Sequence, residues 1–298
     1  MPELPEVETT IRGLKSRVLK RTFIDVWSDW PKTVKLPKDF EVFKKEIKNK
    51  KIKKIWRRAK NVIFDLSDGY SLLVHQKMTG HLLVGNWKLK NGKWEPIKNK
   101  ALNDPMNRFI HLMFFMDGGK MLALSDLRKF AKVELWKTDE LLNSKEFNNL
   151  GPEPLEKSFS FEKFKSVILG SPPPLKLRRG KIKQIIMDQS VIAGVGNIYA
   201  SESLWHAKIH PEKIVAKLSD KEFKLLYEAI KKVLELGVKL GGESFSDYRK
   251  PDGTKGDFDT ERKAYKRENQ KCRRCKTKIK RIKFDGRSAF FCPHCQKL

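Results

Sequence analysis

The sequence predicts an α+β protein, and three observations lead to that class. Short runs rich in β-branched and aromatic residues fill the chain up to about residue 136. Apolar residues at helical spacing dominate after residue 151. Two Cys-x-x-Cys pairs lie near the end of the chain. We therefore expect an N-terminal helix with a β-sandwich or barrel domain, followed by a helical domain that ends in a four-cysteine zinc finger.

Charge indicates the kind of partner. The chain has 298 residues, enough for two domains that each bury a core. Lys and Arg total 64 and Asp and Glu total 36, so the formal net charge is +28. Because the basic residues are spread along the whole length, we expect a polyanion such as DNA as partner. A solvated basic surface or a general affinity for ribosomes is the alternative.

Apolar segments are too short to cross a membrane. The longest, such as Phe109 to Met116, fall well below the ~20 residues that span a bilayer. The N-terminus is acidic and has no apolar signal region, which indicates a cytoplasmic protein. In that reducing compartment, cysteines confined to the last 27 residues indicate a metal site rather than disulfides.

The first element is an amphipathic helix from about Pro5 to Leu19. Four apolar residues repeat there at helical spacing, namely Val7, Ile11, Leu14 and Val18. Glu3 and Glu6 suit the positive end of this helix. A second interpretation concerns Pro2, because removal of Met1 leaves a secondary amine beside Glu3. An α-amine titrates near pH ~8 and is partly nucleophilic at neutral pH, so an imine-forming catalyst and a plain helix start both stay open.

The β-rich part contains two predicted hairpins. They turn at Ser67-Asp68-Gly69 and at Asp117-Gly118-Gly119. The flanking runs are Val62 to Leu66, Ser71 to His75, Phe109 to Met116 and Lys120 to Leu124.

Two breakers bracket a predicted domain boundary, and the chain after them is predicted to be helical. The breakers are Gly151-Pro152-Glu153-Pro154 and Ser171-Pro172-Pro173-Pro174. The predicted helices run from Lys181 to Met187, from Asn197 to His206, and from Ser219 to the stop at Gly241-Gly242. Ser219 and Glu222 fit a capping box. The polar stretch from Glu243 to Thr260 is expected to be a mobile loop.

Four cysteines form the strongest local motif. Cys272, Cys275, Cys292 and Cys295 occur as two Cys-x2-Cys pairs separated by sixteen residues. This spacing suits one tetrahedral Zn2+, and a closed four-cysteine site is structural because catalysis needs an open position. The intervening residues suffice for a hairpin whose tip carries Arg287, where a guanidinium could reach phosphates.

Two weaker motifs also suit anions. Gly194-Val195-Gly196 before Asn197 could expose backbone N–H groups at a helix start, although glycine turns between helices are common. Lys60 belongs to a basic run, and most such runs are solvated strand edges.

Six motifs occur in a fixed order along the chain: Pro2-Glu3-Leu4-Pro5-Glu6-Val7-Glu8-Thr9, Arg58-Ala59-Lys60, Met78-Thr79-Gly80, Leu150-Gly151-Pro152-Glu153-Pro154-Leu155, Gly194-Val195-Gly196-Asn197-Ile198-Tyr199-Ala200-Ser201-Glu202 and the cysteine finger. Taken together, these motifs resemble the bacterial formamidopyrimidine-DNA glycosylase family over nearly the whole chain. Leu4 favours that branch over the endonuclease VIII branch, which usually has glycine there.

The resemblance implies a bifunctional enzyme of base excision repair acting on damaged double-stranded DNA. It would excise 8-oxoguanine and formamidopyrimidines and cut the abasic strand by β,δ-elimination. Pro2 would be the nucleophile, Glu3 would shuttle protons, and Glu6 would orient the terminus. Met1 must be removed for this chemistry. The helical domain would be a helix-two-turn-helix module.

The resemblance also implies DNA contacts. Met78 would fill the void left by the flipped base, Arg128 would read the orphaned cytosine and Phe130 would wedge beside it. Lys60, Asn197 and Arg287 would clamp phosphates around the flipped nucleotide, and Lys60 and Arg287 are therefore counted with Pro2 and Glu3 as catalytic residues.

Several segments depart from the family pattern. Asp126-Leu127-Arg128-Lys129-Phe130 lacks a proline and one arginine of the family's wedge loop. A histidine-containing segment is replaced by Asn107-Arg108-Phe109, so a phosphate contact is expected to move to Arg108. The lysine-rich stretch from Asn86 to Leu102 looks like an insertion. Ahead of the finger, the chain has Tyr265-Lys266-Arg267, in which Tyr265 and Arg267 are expected DNA contacts.

The predicted domains are a catalytic β-sandwich over 1–140, the helix-two-turn-helix domain over 151–262 and the finger over 263–298. A monomer is expected, since nothing indicates a heptad seam. Two other functions stay open: a relative that prefers oxidised pyrimidines, and a non-catalytic zinc-ribbon binder of DNA or RNA.

Overall fold

The computed structural model describes residues 1–97, 99–170, 178–244 and 247–298. The predicted breaker Ser171-Pro172-Pro173-Pro174 lies outside these residues. The chain divides into two compact units. Unit 1 comprises residues 1–148 and 240–259, and unit 2 comprises residues 149–239 and 260–298. The predicted α+β class is confirmed, as is the zinc finger at the end of the chain.

The α-helices are α1 (Leu4–Val18), α2 (Phe40–Ile47), α3 (Thr138–Asn143), α4 (Lys145–Asn148), α5 (Phe161–Leu169), α6 (Ile182–Met187), α7 (Asn197–Ala207), α8 (Asp220–Lys239) and α9 (Phe258–Glu261). The strands are β1 (Phe23–Ser28), β2 (Val34–Leu36), β3 (Ile52–Arg58), β4 (Asn61–Leu66), β5 (Tyr70–His75), β6 (His81–Gly85), β7 (Trp87–Lys90), β8 (Lys93–Pro96), β9 (Ile110–Met116), β10 (Met121–Ser125), β11 (Lys132–Lys137), β12 (Lys280–Phe284) and β13 (Arg287–Phe291). Short 3-10 turns join several of them.

Unit 1 contains two larger sheets around one apolar core. Their strand orders are β1-β9-β10-β6 and β2-β11-β5-β4-β3, antiparallel except for the β2–β11 pair. Helix α1 contributes its apolar stripe to this core, and the predicted residues Val7, Ile11, Leu14 and Val18 are all buried. Each such side chain stabilises the fold by about 1.5–3 kcal/mol relative to exposure. The amphipathic helix is therefore confirmed, and it carries the N-terminus on a rigid support.

Both predicted hairpins form. Strands β4 and β5 turn through Asp68 at φ 60°, and β9 and β10 turn through Gly118 at φ 64°. Positive φ favours glycine and is tolerated by aspartate, which explains why these tripeptides signalled the turns.

Within the lysine-rich stretch from Asn86 to Leu102, residues 87–96 form a hairpin that the sequence did not predict. Strands β7 and β8 pair with Trp87 opposite Pro96. Trp87 and Leu102 are buried against the face of the β9-β10-β6 sheet that points away from the main core. The two tryptophans of the segment are too far apart in the sequence to show the two-residue period of a strand, and the lysines add no apolar pattern. The hairpin could therefore not be predicted from the sequence.

Unit 2 is helical and ends in the finger. Helices α5 and α8 pack through aromatic rings, among them Phe164 and Phe223 with centroids 6.5 Å apart. The capping box before α8 is confirmed, because Ser219 N donates to Glu222 Oε2 at 2.9 Å. Strands β12 and β13 form the predicted finger hairpin.

Residues 240–259 pack with unit 1, although their sequence position lies within the range expected for the helical domain. The segment was expected to be a mobile loop. Several of its described residues are instead buried, including Tyr248, Arg249 and Phe258. Its ends are joined by the hydrogen bond from Asp257 N to the Leu240 carbonyl at 2.8 Å. Buried aromatic and paired polar groups oppose mobility of these described residues, since each lost partner would cost free energy.

Across the described ranges, we find no helix with both the length and the apolar character that a membrane crossing requires.

Candidate functional site

The N-terminus forms a compact polar cluster. Pro2 is buried, and Glu3 and Glu6 are 2% and 1% exposed. Glu3 is the N-cap of α1 and forms a capping box with Glu6, whose Oε2 accepts from Glu3 N at 2.8 Å. The positive end of the helix dipole favours both carboxylates. The predicted catalytic group and its two carboxylates are therefore held together by the start of one helix.

Gly242, Glu243 and Tyr248 complete this cluster within unit 1. The second oxygen of Glu6, Oε1, accepts from Glu243 N at 2.7 Å. A Cβ atom on Gly242 would lie 2.9 Å from both Cγ and Oε1 of Glu6, so no side chain fits there. Tyr248 Oη donates to the Glu6 carbonyl at 3.0 Å, and burial raises the pKa of this phenol. Sequence reasoning used Gly242 only as a helix stop, and no local pattern linked it to Glu6.

Lys60 lies at the turn between β3 and β4. It is 7% exposed, so it is not part of a solvated strand edge. The preceding Ala59 has φ 52°, and its carbonyl accepts from Arg57 Nη1 at 3.0 Å. Arg57 also faces Glu8 of α1 at 3.4 Å. The turn that carries Lys60 is thus fixed against the helix that carries Pro2.

Met78 and the 126–131 loop are joined by one buried contact. Thr79, next to Met78, donates from Oγ1 to Asp126 Oδ1. Asp126 is 1% exposed and also accepts from Ala131 N at 2.7 Å. Arg128 N lies 3.1 Å from Thr79 Oγ1. The structure therefore brings together the loops of three predicted residues, Met78, Arg128 and Phe130.

The side chains on these loops are exposed. Met78 is 40% exposed and Phe130 is 51% exposed, so both apolar side chains are accessible at the surface. The Arg128 guanidinium lies 4.6 Å from the centre of the Phe130 ring. Exposed apolar groups beside an arginine suit insertion between bases.

Two histidines flank the Met78 turn. Burial and neighbouring lysines lower the pKa of His75 to about 3. Burial lowers the pKa of His81 to about 4, although its neighbours Thr79 O and Asn107 Oδ1 favour the protonated ring. Both rings are neutral at pH 7. Arg108, the predicted phosphate contact, is exposed at the end of a 3-10 turn with its guanidinium 5.1 Å from the Phe109 ring.

In unit 2, Asn197 begins α7 after the predicted glycine turn. Gln189 holds that turn from one side: its Oε1 accepts from Gly194 N at 2.9 Å and its Nε2 donates to the Val195 carbonyl at 2.7 Å. The backbone N–H groups at this helix start suit an anion. Sequence reasoning missed Gln189, because a side chain that braces a turn leaves no periodic signal.

Lys183 was also missed. It is 1% exposed, and its Nζ donates to Ser201 Oγ at 3.0 Å and to the Ser288 carbonyl at 3.1 Å. Ser288 follows Arg287 in β13, so Lys183 joins the helical part of unit 2 to the finger hairpin. Its sequence signal was a lysine inside the apolar run of α6.

Glu202 fixes the segment ahead of the finger. Its buried carboxylate accepts from the backbone N–H groups of Lys263 at 2.7 Å, Ala264 at 2.9 Å and Tyr265 at 2.7 Å. Burial raises the pKa of Glu202, and the three N–H groups oppose that rise. Glu202 therefore fixes the backbone segment that carries the predicted DNA contacts Tyr265 and Arg267.

The four cysteines form one cluster. Their sulfur atoms all lie within 4.8 Å of one another, close to the ~3.8 Å that tetrahedral Zn–S bonds of ~2.3 Å require. Backbone N–H groups of Arg274 and Cys295 point at the sulfurs of Cys272 and Cys292, which supports thiolates. The donor set fits one structural Zn2+. Arg287 is exposed beside the hairpin tip, where Asp285 and Gly286 both have positive φ.

Family models match three consecutive parts of the chain. Their descriptions are Formamidopyrimidine-DNA glycosylase N-terminal domain for residues 1–133, Formamidopyrimidine-DNA glycosylase H2TH domain for 150–249, and Zinc finger found in FPG and IleRS for 269–298. With the N-terminal cluster and the cysteine site, these domains define a DNA glycosylase of the helix-two-turn-helix class.

Full-length relatives give the same assignment. Formamidopyrimidine-DNA glycosylase of Pelotomaculum thermopropionicum is 38% identical over 300 residues, covering 100% of both chains. That of Desulforamulus reducens is 36% identical over 300 residues, covering 100% of this chain and 99% of its own. Lactococcus lactis Fpg in complex with DNA containing an abasic site is similar in structure, with a TM-score of 0.83 and 34% identity over 99% of this chain and 100% of that one. The chain belongs to the formamidopyrimidine-DNA glycosylase family.

Proposed function

We propose that the protein removes oxidised purines, chiefly 8-oxoguanine and formamidopyrimidines, from duplex DNA and then cuts the strand at the abasic site. The observation that carries this proposal is the cluster of Pro2, Glu3 and Glu6 at the start of α1. Solved relatives bound to DNA containing Fapy-dG and carbocyclic 8-oxo-G support the substrate class.

Pro2 is the nucleophile of the proposed reaction. After Met1 is removed, its secondary amine attacks C1′ of the damaged nucleotide as the bond from C1′ to the base breaks. The departing base takes up a proton, the sugar ring opens, and an iminium ion links Pro2 to C1′. The iminium acidifies the C2′ proton, so the C3′–O3′ bond breaks first and the C5′–O5′ bond breaks second.

Glu3 and Glu6 have different roles in supporting the reaction of Pro2. Glu3 adjoins Pro2 in the chain and transfers protons during base loss and ring opening. Glu6 positions the terminus, because its two oxygens hold Glu3 N and Glu243 N at 2.8 and 2.7 Å. The geometry of the amine thus depends on a carboxylate that is itself fixed on both sides.

Base extrusion uses the exposed loops of unit 1. A flipped nucleotide leaves a gap, and extrusion costs roughly a few kcal/mol. Met78 fills the gap, Phe130 wedges beside it, and Arg128 pairs with the orphaned cytosine. The buried hydrogen bond between Thr79 and Asp126 keeps the loop of Met78 next to the loop of Arg128 and Phe130.

Basic and amide groups hold the backbone around the flipped nucleotide. Lys60, Arg108, Asn197 and Arg287 contact phosphates, with Tyr265 and Arg267 beside the finger. Such contacts position the DNA and do not read its sequence. One structural zinc stabilises the finger hairpin that presents Arg287. The protein acts as a monomer in the cytoplasm, close to the nucleoid.

A lesion assay tests the substrate class. Protein without Met1 is incubated with duplexes that carry 8-oxoguanine opposite cytosine or thymine glycol, and both the free base and the strand ends are measured. We expect faster release of 8-oxoguanine and a gap with phosphate at both ends. Preferential release of thymine glycol would move the protein to the pyrimidine-specific class, and binding without base release would make it a non-catalytic binder.

Protein that retains Met1 is the matched control. Its Pro2 nitrogen is an amide, so it has no basic lone pair to attack C1′, while the DNA-binding residues are unchanged. We expect it to bind the lesion duplex without releasing base. Equal rates from both forms would contradict the role of Pro2.

A further inference from the structure

The hairpin β7–β8 is a built element rather than a loose insertion. Trp94 packs edge-on against Trp27 with ring centroids 5.3 Å apart and lies 5.9 Å from Phe115. Asn86 Nδ2 donates to the Gly119 carbonyl at 2.7 Å, and Asn86 O accepts from Ile97 N at 2.8 Å. The hairpin is therefore held on the sheet by aromatic rings on one side and by hydrogen bonds at its base.

Its charges are sorted onto one face. Because side chains alternate along a strand, Trp87 and Trp94 share the face toward the sheet, whereas Lys88, Lys90 and Lys93 share the opposite face. All three lysines are exposed.

The lysines face each other across the two strands. Lys90 stands directly opposite Lys93, and the only acid on this face of the hairpin, Glu95, stands opposite Lys88. Like charges in opposed positions destabilise a hairpin, and an anion bound over them would remove that cost.

This basic face continues into a groove. The groove has a volume of about 690 Å3 and lies between the hairpin and the 3-10 turns of residues 100–108. Trp94 and Phe109 form part of its apolar lining, Lys93 and Arg108 supply its cationic groups, and Glu95 and Asp104 supply its carboxylates. The Asp104 carboxylate is paired with Arg249 at 2.9 Å. Arg108 is already a proposed phosphate contact, so the lysines of the hairpin extend the same line of positive charge.

We propose that the hairpin face of Lys88, Lys90 and Lys93, together with the groove that ends at Arg108, binds the phosphate backbone of the duplex flanking the lesion. This inference rests on the proposed function, because it extends the DNA footprint of the same protein on one side of the lesion. Rings that line the groove cover sugar faces, and the lysines neutralise phosphates and release counterions.

Salt-dependent binding to a duplex with a stable abasic analogue tests the inference. The variant carries Lys88→Gln, Lys90→Gln and Lys93→Gln, which keep the tryptophan packing intact. We expect its log–log salt slope to become shallower by about 2 to 3 and its Kd to rise roughly tenfold at ~0.15 M salt, since each phosphate contact contributes a slope of about 0.9.

The control carries Lys45→Gln, Lys48→Gln and Lys51→Gln, three exposed lysines of the same unit. Its charge change is identical, but screening over ~8 Å limits remote effects, so we expect less than about a twofold change in Kd. Equal losses in the two variants would show a general charge effect, and an unchanged hairpin variant would show a merely solvated face. Either result overturns the inference.

Duplex length supplies a second readout. Two series are lengthened on the 5′ or the 3′ side of the lesion. The wild-type protein should gain affinity in one series only, and the hairpin variant should lose that gain. Borohydride trapping of the wild-type protein, measured in parallel, reports the proposed function separately: if trapping succeeds but neither series shows a gain, the hairpin inference alone fails.

Discussion

Glu243 N donates a 2.7 Å hydrogen bond to Oε1 of Glu6, and these two residues are 237 positions apart in the chain. The other oxygen of the same carboxylate holds Glu3 N at 2.8 Å. The buried side chain of Glu6 therefore connects the N-terminal end of α1 with the segment that follows α8. Changes at Gly242 or Glu243 should therefore alter the position of Pro2 through Glu6.

Gly242→Ala should slow base excision by roughly tenfold. The added Cβ would lie 2.9 Å from Glu6 Cγ and Oε1, and φ +82° adds about 1 to 2 kcal/mol of backbone strain. Gly69→Ala is the control, because Gly69 has φ +71° but nothing within 4 Å of the added atom. Single-turnover rates on 8-oxoguanine duplex measure the effect. If the two variants are equally slow, strain alone explains the loss.

Thr79→Val should weaken binding to lesion duplex several-fold and destabilise the protein by about 1 to 2 kcal/mol, because Asp126 loses a buried hydroxyl donor. The valine keeps the shape of the side chain. Thr9→Val is the control, since Thr9 Oγ1 is buried with no hydrogen-bond partner in the described structure. Urea unfolding and titration of a lesion duplex distinguish the variants, and an equally stable Thr79→Val protein would show that the link is dispensable.

Glu202→Gln should destabilise unit 2 by about 2 to 3 kcal/mol, since three backbone N–H groups lose a charged acceptor. Binding of DNA should weaken as well, because the backbone segment that carries Tyr265 and Arg267 is no longer held in position. Glu228→Gln changes the same charge at an exposed position of α8 and should be neutral. Thermal unfolding together with DNA titration provides the check. Wild-type affinity in the Glu202 variant would contradict the positioning role.

Acid should destabilise unit 1 through His81. Its folded-state pKa of about 4 lies below the ordinary value of 6.5, so the unfolded chain binds more protons and stability falls as pH drops through 6.5 toward 4. For this one group, the loss between pH 7.5 and 5 is about 2 kcal/mol. His81→Gln should reduce the acid-induced loss by that amount in urea unfolding. An unchanged pH dependence would mean that His81 does not titrate as its burial implies.

Local signals explain which elements the sequence could predict. The hairpin turns at Asp68 and Gly118, the capping box at Ser219 and the cysteine pairs each depend on residues close in the chain. Each of these motifs can therefore be recognised from the sequence without knowledge of the fold.

Long-range contacts explain what the sequence could not supply. The bonds from Glu243 to Glu6 and from Thr79 to Asp126 join distant residues, and the buried Lys183 shows its role only when Ser201 and Ser288 surround it. The β7–β8 hairpin could not be predicted because lysines outnumber its two tryptophans, of which Trp87 is buried and Trp94 is partly buried. Burial of Tyr248, Arg249 and Phe258 likewise depends on the rest of unit 1, which a local pattern cannot reveal.

Borohydride trapping followed by peptide mass spectrometry directly tests whether Pro2 is the nucleophile. Protein without Met1 is mixed with 8-oxoguanine duplex and reduced, and the cross-linked peptide is sequenced. We expect a tertiary amine that joins the Pro2 nitrogen to C1′ of the sugar. A cross-link on a lysine such as Lys60, or base release with no cross-link at all, would contradict it.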